Sequence, residues 1–210
     1  MDKTNLAVNV FNQCANQYQE RFMDLSMYHE TFDTFCNSIK TPLASILELA
    51  CGPGNITKYL VEKRPDFTIL ATDLAPNMLE LAKANNPNVS FKLLDCKAFN
   101  SLNQTFDAII CGFGLPYLSK EEAIQLIADA AKQLHPNGVL YISTMEDDYS
   151  KSGLQTSSDG KHTLFMHYHQ ADYLTEAITN NGFELIELKR ISYNEPKPTT
   201  DLVLIAKKIT

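Results

Sequence analysis

Apolar positions along this chain follow two rhythms. Short apolar runs at residues 45–50, 67–71, 89–94, 106–112 and 139–143 have the length and pattern of strands. The first of them is apolar on both faces, as a strand of a parallel sheet covered by helices on each side is. Between the runs, apolar residues recur at helical spacing. Ile56, Tyr59 and Leu60 mark a helix that ends before Pro65, Met78, Leu81 and Ala82 one that opens at Pro76, and Ile124, Ile127, Ala131 and Leu134 another. A helical preamble over residues 5–40 precedes the strands, with Phe11, Cys14, Ala15 and Tyr18 on one face and Tyr28, Phe32, Phe35 and Ile39 on another. Beyond the fifth strand the pattern changes. Residues 145–170 hold an acidic patch, a Ser/Gly-rich stretch and the turn pair Asp159-Gly160, flanked by residues able to form a hairpin. A helix over 171–180 with a stop at Asn181-Gly182 follows, then strands over 183–193 and 202–208 joined by a Pro-rich turn.

Alternating strands and helices of this kind predict an α/β doubly wound sheet. In such sheets ligands bind at the carboxyl ends of the strands, and there the pattern is broken by chemistry. Glu48 intrudes into the first apolar run, where a buried carboxylate needs a donor from the following turn or a ligand. Gly52-Pro53-Gly54 then stops the strand and restarts the chain as a helix whose amides face the crevice. Asp73 ends the second strand and Asp95 the third. For Asp73 two readings stand open: acceptor from the hydroxyls of a ribose, and cap of the helix beginning at Pro76. For Asp95 the plain alternative is likewise a post-strand cap.

At 210 residues, 44% of them apolar and 20% charged, the chain fits one domain with a three-layer core, residues 1–40 serving as a helical lid and 145–170 as a substrate-facing insertion. The net charge of −7 and the lack of a basic block predict no nucleic-acid partner. Five cysteines without a C-x-x-C pair suit a reducing compartment. No apolar run reaches membrane-spanning length, so a cytoplasmic protein is expected. His162, His167 and His169 alternate without an accompanying acid or cysteine set, so no metal is predicted.

Glu48-Leu-Ala50-Cys-Gly52-Pro-Gly54 resembles motif I of the class I S-adenosylmethionine-dependent methyltransferases, departing from it in Ala50, where glycine is usual. The resemblance extends over residues 45–144. Phe11-Asn-Gln-Cys-Ala15-Asn-Gln-Tyr18 resembles the leading segment of the ubiquinone- and menaquinone-biosynthesis group of small-molecule methyltransferases, whose tyrosine closes over the cofactor; core packing is the competing reading of Tyr18. The resemblance implies a Rossmann-like seven-stranded sheet with the last strand antiparallel. It implies S-adenosylmethionine as cofactor, held by Glu48, Ala50, Gly52, Gly54, Asp73 on the ribose, Leu74 and Met78 against the adenine, Asp95 and Cys96 at its edge, and Cys111, with the backbone of Gly112 and Gly114 near the sulfonium. A Rossmann dehydrogenase would want a further glycine at Thr57. Leu115-Pro116-Tyr117 lacks the Asn or Asp and the second proline of the motif found in amino-group methyltransferases of nucleic acids.

The implied reaction moves a methyl group in line to an O, N or C nucleophile of a small molecule, which demands positioning more than a base. A non-catalytic regulator or partner subunit of the same fold is the alternative. In the hairpin, Thr163, Phe165, His167 and His169 share one face and His162, Leu164, Met166 and Tyr168 the other. The expectation is that His167 contacts or deprotonates the acceptor, with His169, Tyr117 and Tyr18 as neighbours in the substrate pocket; a solvent-facing strand residue is the alternative reading of His167.

Overall fold

The computed structural model describes residues 3–156, 160–193 and 199–209. Asp159 and the Pro-rich turn at 194–198 lie outside them. Five parallel strands, β1 (Ser45–Leu49), β2 (Thr68–Asp73), β3 (Ser90–Leu93), β4 (Phe106–Cys111) and β5 (Leu134–Met145), are joined by β8 (Phe183–Tyr193) and β9 (Thr199–Lys208). The order is β3-β2-β1-β4-β5-β9-β8, with β9 antiparallel to both its neighbours. The chain order reverses between β1 and β4, so the crevice at their carboxyl ends is the topological switch point.

The pleat of each strand sends alternate residues to opposite layers. Leu47 and Leu49 enter a core with α5 (Lys120–Gln133) and α6 (Ala171–Asn180), while Ile46 enters the other with α2 (His29–Ser38), α3 (Asn55–Lys63) and α4 (Pro76–Asn85). Ser119 starts α5 with a capping box, its hydroxyl accepting from the Glu122 amide at 3.2 Å while the Glu122 carboxylate accepts from the Ser119 amide at 2.8 Å. Helix α1 (Lys3–Phe22) joins neither large core. Ala15 packs with Ala75 and Met78, flanked by Phe11 and Tyr18, so α1 lies across the crevice on α4.

Several strands run longer than the apolar runs indicate. β2 continues through Thr72 and Asp73, and β9 begins at Thr199. β5 begins at Leu134, and residues 135–138 form an irregularity within it: Phe106 pairs with Leu134 and Ala108 with Val139, with Asn137 at φ +65°. The hairpin after β5 consists of β6 (Gly153–Thr156) and β7 (Thr163–Met166), which form their own two-stranded sheet. Backbone bonds from His167 N–H to the Pro116 carbonyl (2.8 Å) and from His169 N–H to the Met145 carbonyl (3.1 Å) tie the segment after β7 to the crevice rim.

Candidate functional site

The chain leaves β1 through Ala50 at φ +53° and Gly52 at φ +55°, dihedrals that aim backbone groups outward from the turn. The Gly52 amide donates to Asp73 Oδ2 at 2.8 Å and the Ala75 amide to Oδ1 at 2.8 Å. Asp73 therefore pins the turn after β1 to the turn after β2. Helix α4 has Ala75 at its N-cap, without a side-chain bond, so the capping reading of Asp73 gives way to a turn-bracing one. Burial pushes the Asp73 carboxyl up from its ordinary value, against the backbone amides that favour its charge. At the end of β3, Asp95 Oδ1 accepts from the Lys97 amide at 2.8 Å. Lys97 Nζ reaches Thr4 Oγ1 at 2.9 Å and Glu122 at 3.3 Å, which ties the start of α1 to this edge.

A crevice opens between these turns and α1. Ala50, Gly52, Asp73, Leu74, Met78, Asp95, Cys96, Gly112, Tyr18 and Tyr117 line it, as do Phe11, Lys97 and Phe113. Burial pushes the Tyr18 hydroxyl up to about 12, with the Asp73 charge adding to it, so Tyr18 stays a neutral phenol over the crevice.

Five predicted site residues stand elsewhere. Glu48 is buried below the turn, where its Oε2 accepts from Thr57 Oγ1 at 2.6 Å and Oε1 has no partner among the described residues. Its donor comes from α3, beyond the turn. Gly54 faces α4: a Cβ there would stand 2.5 Å from Asn86 Nδ2 and 3.2 Å from Ala82 Cα, so this glycine serves helix packing. Cys111 lies beneath the crevice floor, fully buried, where a Cβ on Gly114 would meet its sulfur at 2.6 Å.

The two histidines are turned away from the crevice. His169 is fully buried, with Nε2 bonded to the Leu115 carbonyl at 2.8 Å and Nδ1 to the Tyr173 hydroxyl. Both ring nitrogens are thus committed, and burial lowers its pKa to about 4. His167 is buried against Tyr149, with Nδ1 3.1 Å from its hydroxyl, and against Phe165. The opposite face of the hairpin does the lining: His162, Leu164 and Met166 border a groove against Phe11, Cys14 and Tyr18. Alternation separates the two faces correctly, but the bonds to Pro116 and Met145 turn the other one inward.

Residues 46–138 match the sequence family described as a methyltransferase domain. The chain has the fold of a class I methyltransferase. It is 35% identical over 101 residues to malonyl-[acyl-carrier protein] O-methyltransferase of Acetivibrio thermocellus, covering 47% of this chain and 35% of that protein. Trans-aconitate 2-methyltransferase of Methylobacterium nodulans is 32% identical over 106 residues, covering 49% and 40%. The chain thus spans well under half the length of both relatives. A tRNA N(3)-methylcytidine methyltransferase of Schizosaccharomyces pombe is 25% identical over 173 residues, covering 73% and 69%. The solved structure of magnesium protoporphyrin IX methyltransferase from Synechocystis PCC 6803 with bound SAH superposes with a TM-score of 0.75 at 15% identity, covering 99% of this chain and 100% of that one. That likeness is one of fold.

A second cavity adjoins the crevice. The two share Tyr18, Ala50, Gly52, Gly112, Phe113 and Tyr117. Phe22, Leu25, Tyr28, Phe32, Met145 and Met166 give the second one apolar walls, and Asp201 and Tyr193 border it from the last two strands of the sheet. The sequence reading missed Asp201. It stands just ahead of the apolar run at residues 202–206, where a carboxylate beside a buried strand is the same kind of signal as Glu48.

Proposed function

We propose that this chain binds S-adenosylmethionine in the crevice between the ends of β1, β2 and β3, and transfers its methyl group to a small molecule in the adjoining cavity. The observation that carries this reading is the pairing of two carboxylates, Asp73 and Asp95, along one crevice whose floor is the backbone of Ala50, Gly52 and Gly112. Each Asp73 oxygen accepts one amide and keeps a lone pair, which suits two ribose hydroxyls. A Cβ at Gly52 would have only the Tyr18 ring edge, 3.9 Å away, for company, so the glycine keeps the crevice open beneath Tyr18.

When bound, the cofactor supplies an activated methyl group on a cationic sulfur. The protein's part is alignment and exclusion of water. Phe11 and Tyr18 from α1 roof the crevice, and Tyr117, in edge contact with Phe11 at 5.0 Å, stands between the two cavities. The chain acts as one domain on this reading, with α1 and the hairpin covering the sheet's carboxyl edge. A net charge of −7 and the apolar second cavity favour a small acceptor over a nucleic acid.

Calorimetry with S-adenosylhomocysteine tests the reading. Loss of charge-assisted hydrogen bonds in Asp73→Ala should weaken binding by about tenfold or more. Unchanged affinity in a folded variant would sink the ribose assignment. Gel-shift titration with tRNA at low salt tests the acceptor class, since electrostatic attraction is least screened there; strong retention would favour a nucleic-acid acceptor.

A further inference from the structure

The second cavity has a polar inner end and a charged rim of opposite sign. At the inner end the Tyr28 hydroxyl donates to Asp201 Oδ2 at 2.5 Å, and Asp201 is only 1% exposed. Its other oxygen, Oδ1, is buried without a hydrogen-bond partner among the described residues, and the Tyr193 hydroxyl stands close enough to the same carboxylate to favour its charged form. An acceptor oxygen buried and unpaired beside a cavity is costly, and a ligand donor offsets that cost. Met145 pairs with Asp201 across β5 and β9, which places the carboxylate at the carboxyl edge of the sheet. The Tyr28 ring packs on Phe113 at 5.2 Å, and Phe113 lines both cavities. Arg21 is the only cation lining this cavity among the described residues; it is exposed and stacks on Phe22 at 5.3 Å.

We infer that Asp201, held by Tyr28, receives the reacting end of the methyl acceptor, and that this end is a neutral O–H or N–H group on a flat apolar body. The inference rests on the proposed methyl transfer and narrows its substrate class. A carboxylate as the attacking group would meet a buried negative charge with no cation beside it, which is unfavourable. An O–H or N–H group instead fills the empty lone pair of Oδ1. In the reaction the nucleophile's electron pair forms the new bond to the methyl carbon. The sulfur–methyl bond breaks with its pair staying on sulfur, and the proton of the nucleophile passes to Asp201 and then to water. Burial raises the Asp201 carboxyl from its ordinary value, which favours that proton transfer.

This reading separates the chain from the carboxylate-directed chemistry that the names of its malonyl and aconitate relatives describe. The test uses the whole chain saturated with S-adenosylhomocysteine, its binding first verified by calorimetry; failure at that step counts against the cofactor reading itself. The complex is then titrated with 4-methylcatechol and 4-methylaniline as neutral donors, and with trans-aconitate as an anion. At least one neutral donor should bind about tenfold or more tightly than the anion. In Asp201→Asn, with S-adenosylhomocysteine affinity intact, the preference should shrink by about tenfold as the anion gains and the donor loses. Tyr28→Phe, which removes the hydroxyl holding Oδ2, should shift the same ratio and serves if the Asp201 variant does not fold. Binding of neither donor, tighter binding of the anion, or an unchanged ratio in a folded variant that still binds S-adenosylhomocysteine would overturn the inference.

Discussion

Replacing Glu48 by glutamine removes a charge that the fold accommodates poorly. The side chain is 1% exposed, only Oε2 has a partner among the described residues, and burial with some repulsion from Asp73 raises the carboxyl from 4.5 to about 8. The native state therefore holds a proton that the unfolded chain releases above pH 4.5. Stability from this group is fully present below that pH, falls as pH rises, and is lost once pH passes about 8. At about 1.4 kcal/mol per pH unit the whole swing is about 5 kcal/mol, a large share of the ~5–15 kcal/mol by which domains are stable. Glu48→Gln keeps the shape and has no such swing. Its amide exchanges one unpaired polar atom for another, an offset that does not vary with pH. Other raised carboxyls, such as Asp201, are present in both proteins and largely cancel in the comparison. Urea unfolding from pH 5 to pH 9 should show the glutamine variant gaining on the wild type by about 4 kcal/mol across that range. Parallel stability curves would show that Glu48 is ionised in the native state and would refute the reasoning.

Gly54→Ala places a methyl against Asn86 and Ala82 at φ +79°, and should cost about 2–4 kcal/mol in urea unfolding, the sum of overpacking and left-handed strain. His169→Phe deletes bonds to Leu115 and Tyr173 and should cost about 2–3 kcal/mol while leaving S-adenosylhomocysteine affinity unchanged. Because its native pKa lies near 4, wild-type stability from His169 is present above about 6.5 and lost as pH falls toward 4, so the acid limb of a melting series should flatten in the variant. His167→Ala should leave cofactor affinity within a factor of about two, since the ring packs on Tyr149 outside the crevice; a tenfold change would return it to the site.

The sheet was legible because its strands are short, apolar and separated by helix-spaced segments, and because acidic residues mark the carboxyl ends of β2 and β3. Face assignment was less so. A period of two divides β7 into two sets, but which set turns inward depends on distant backbone partners, Pro116 and Met145. Gly52 and Gly54 look equivalent in sequence. One borders the crevice under Tyr18, the other meets α4, and only tertiary packing distinguishes them. Asp201 was overlooked because a polar residue at the start of an apolar run reads as a strand boundary. Its partner Tyr28 is 173 positions away, a pairing no local pattern encodes.

The seam between the two cavities explains why Ala50 can replace the usual glycine. Ala50 and Phe113 both follow the ends of adjacent parallel strands, and both adopt left-handed dihedrals, φ +53° and φ +55°, at a cost of about 1–2 kcal/mol each for residues with a Cβ. The bend at Phe113 lets its amide donate to the Ser143 hydroxyl oxygen at 3.0 Å while its ring reaches Tyr28. At Ala50 the methyl is accommodated because the facing position is glycine: a Cβ on Gly114 would lie 3.2 Å from it. Gly112 is constrained in the same way, since a Cβ there would stand 2.2 Å from Ile56 Cδ1. Small side chains at these positions bring β1 and β4 backbone to the surface between Asp73 and Asp201. Donor and acceptor can then approach over backbone, with the side chains that bind them standing to either side.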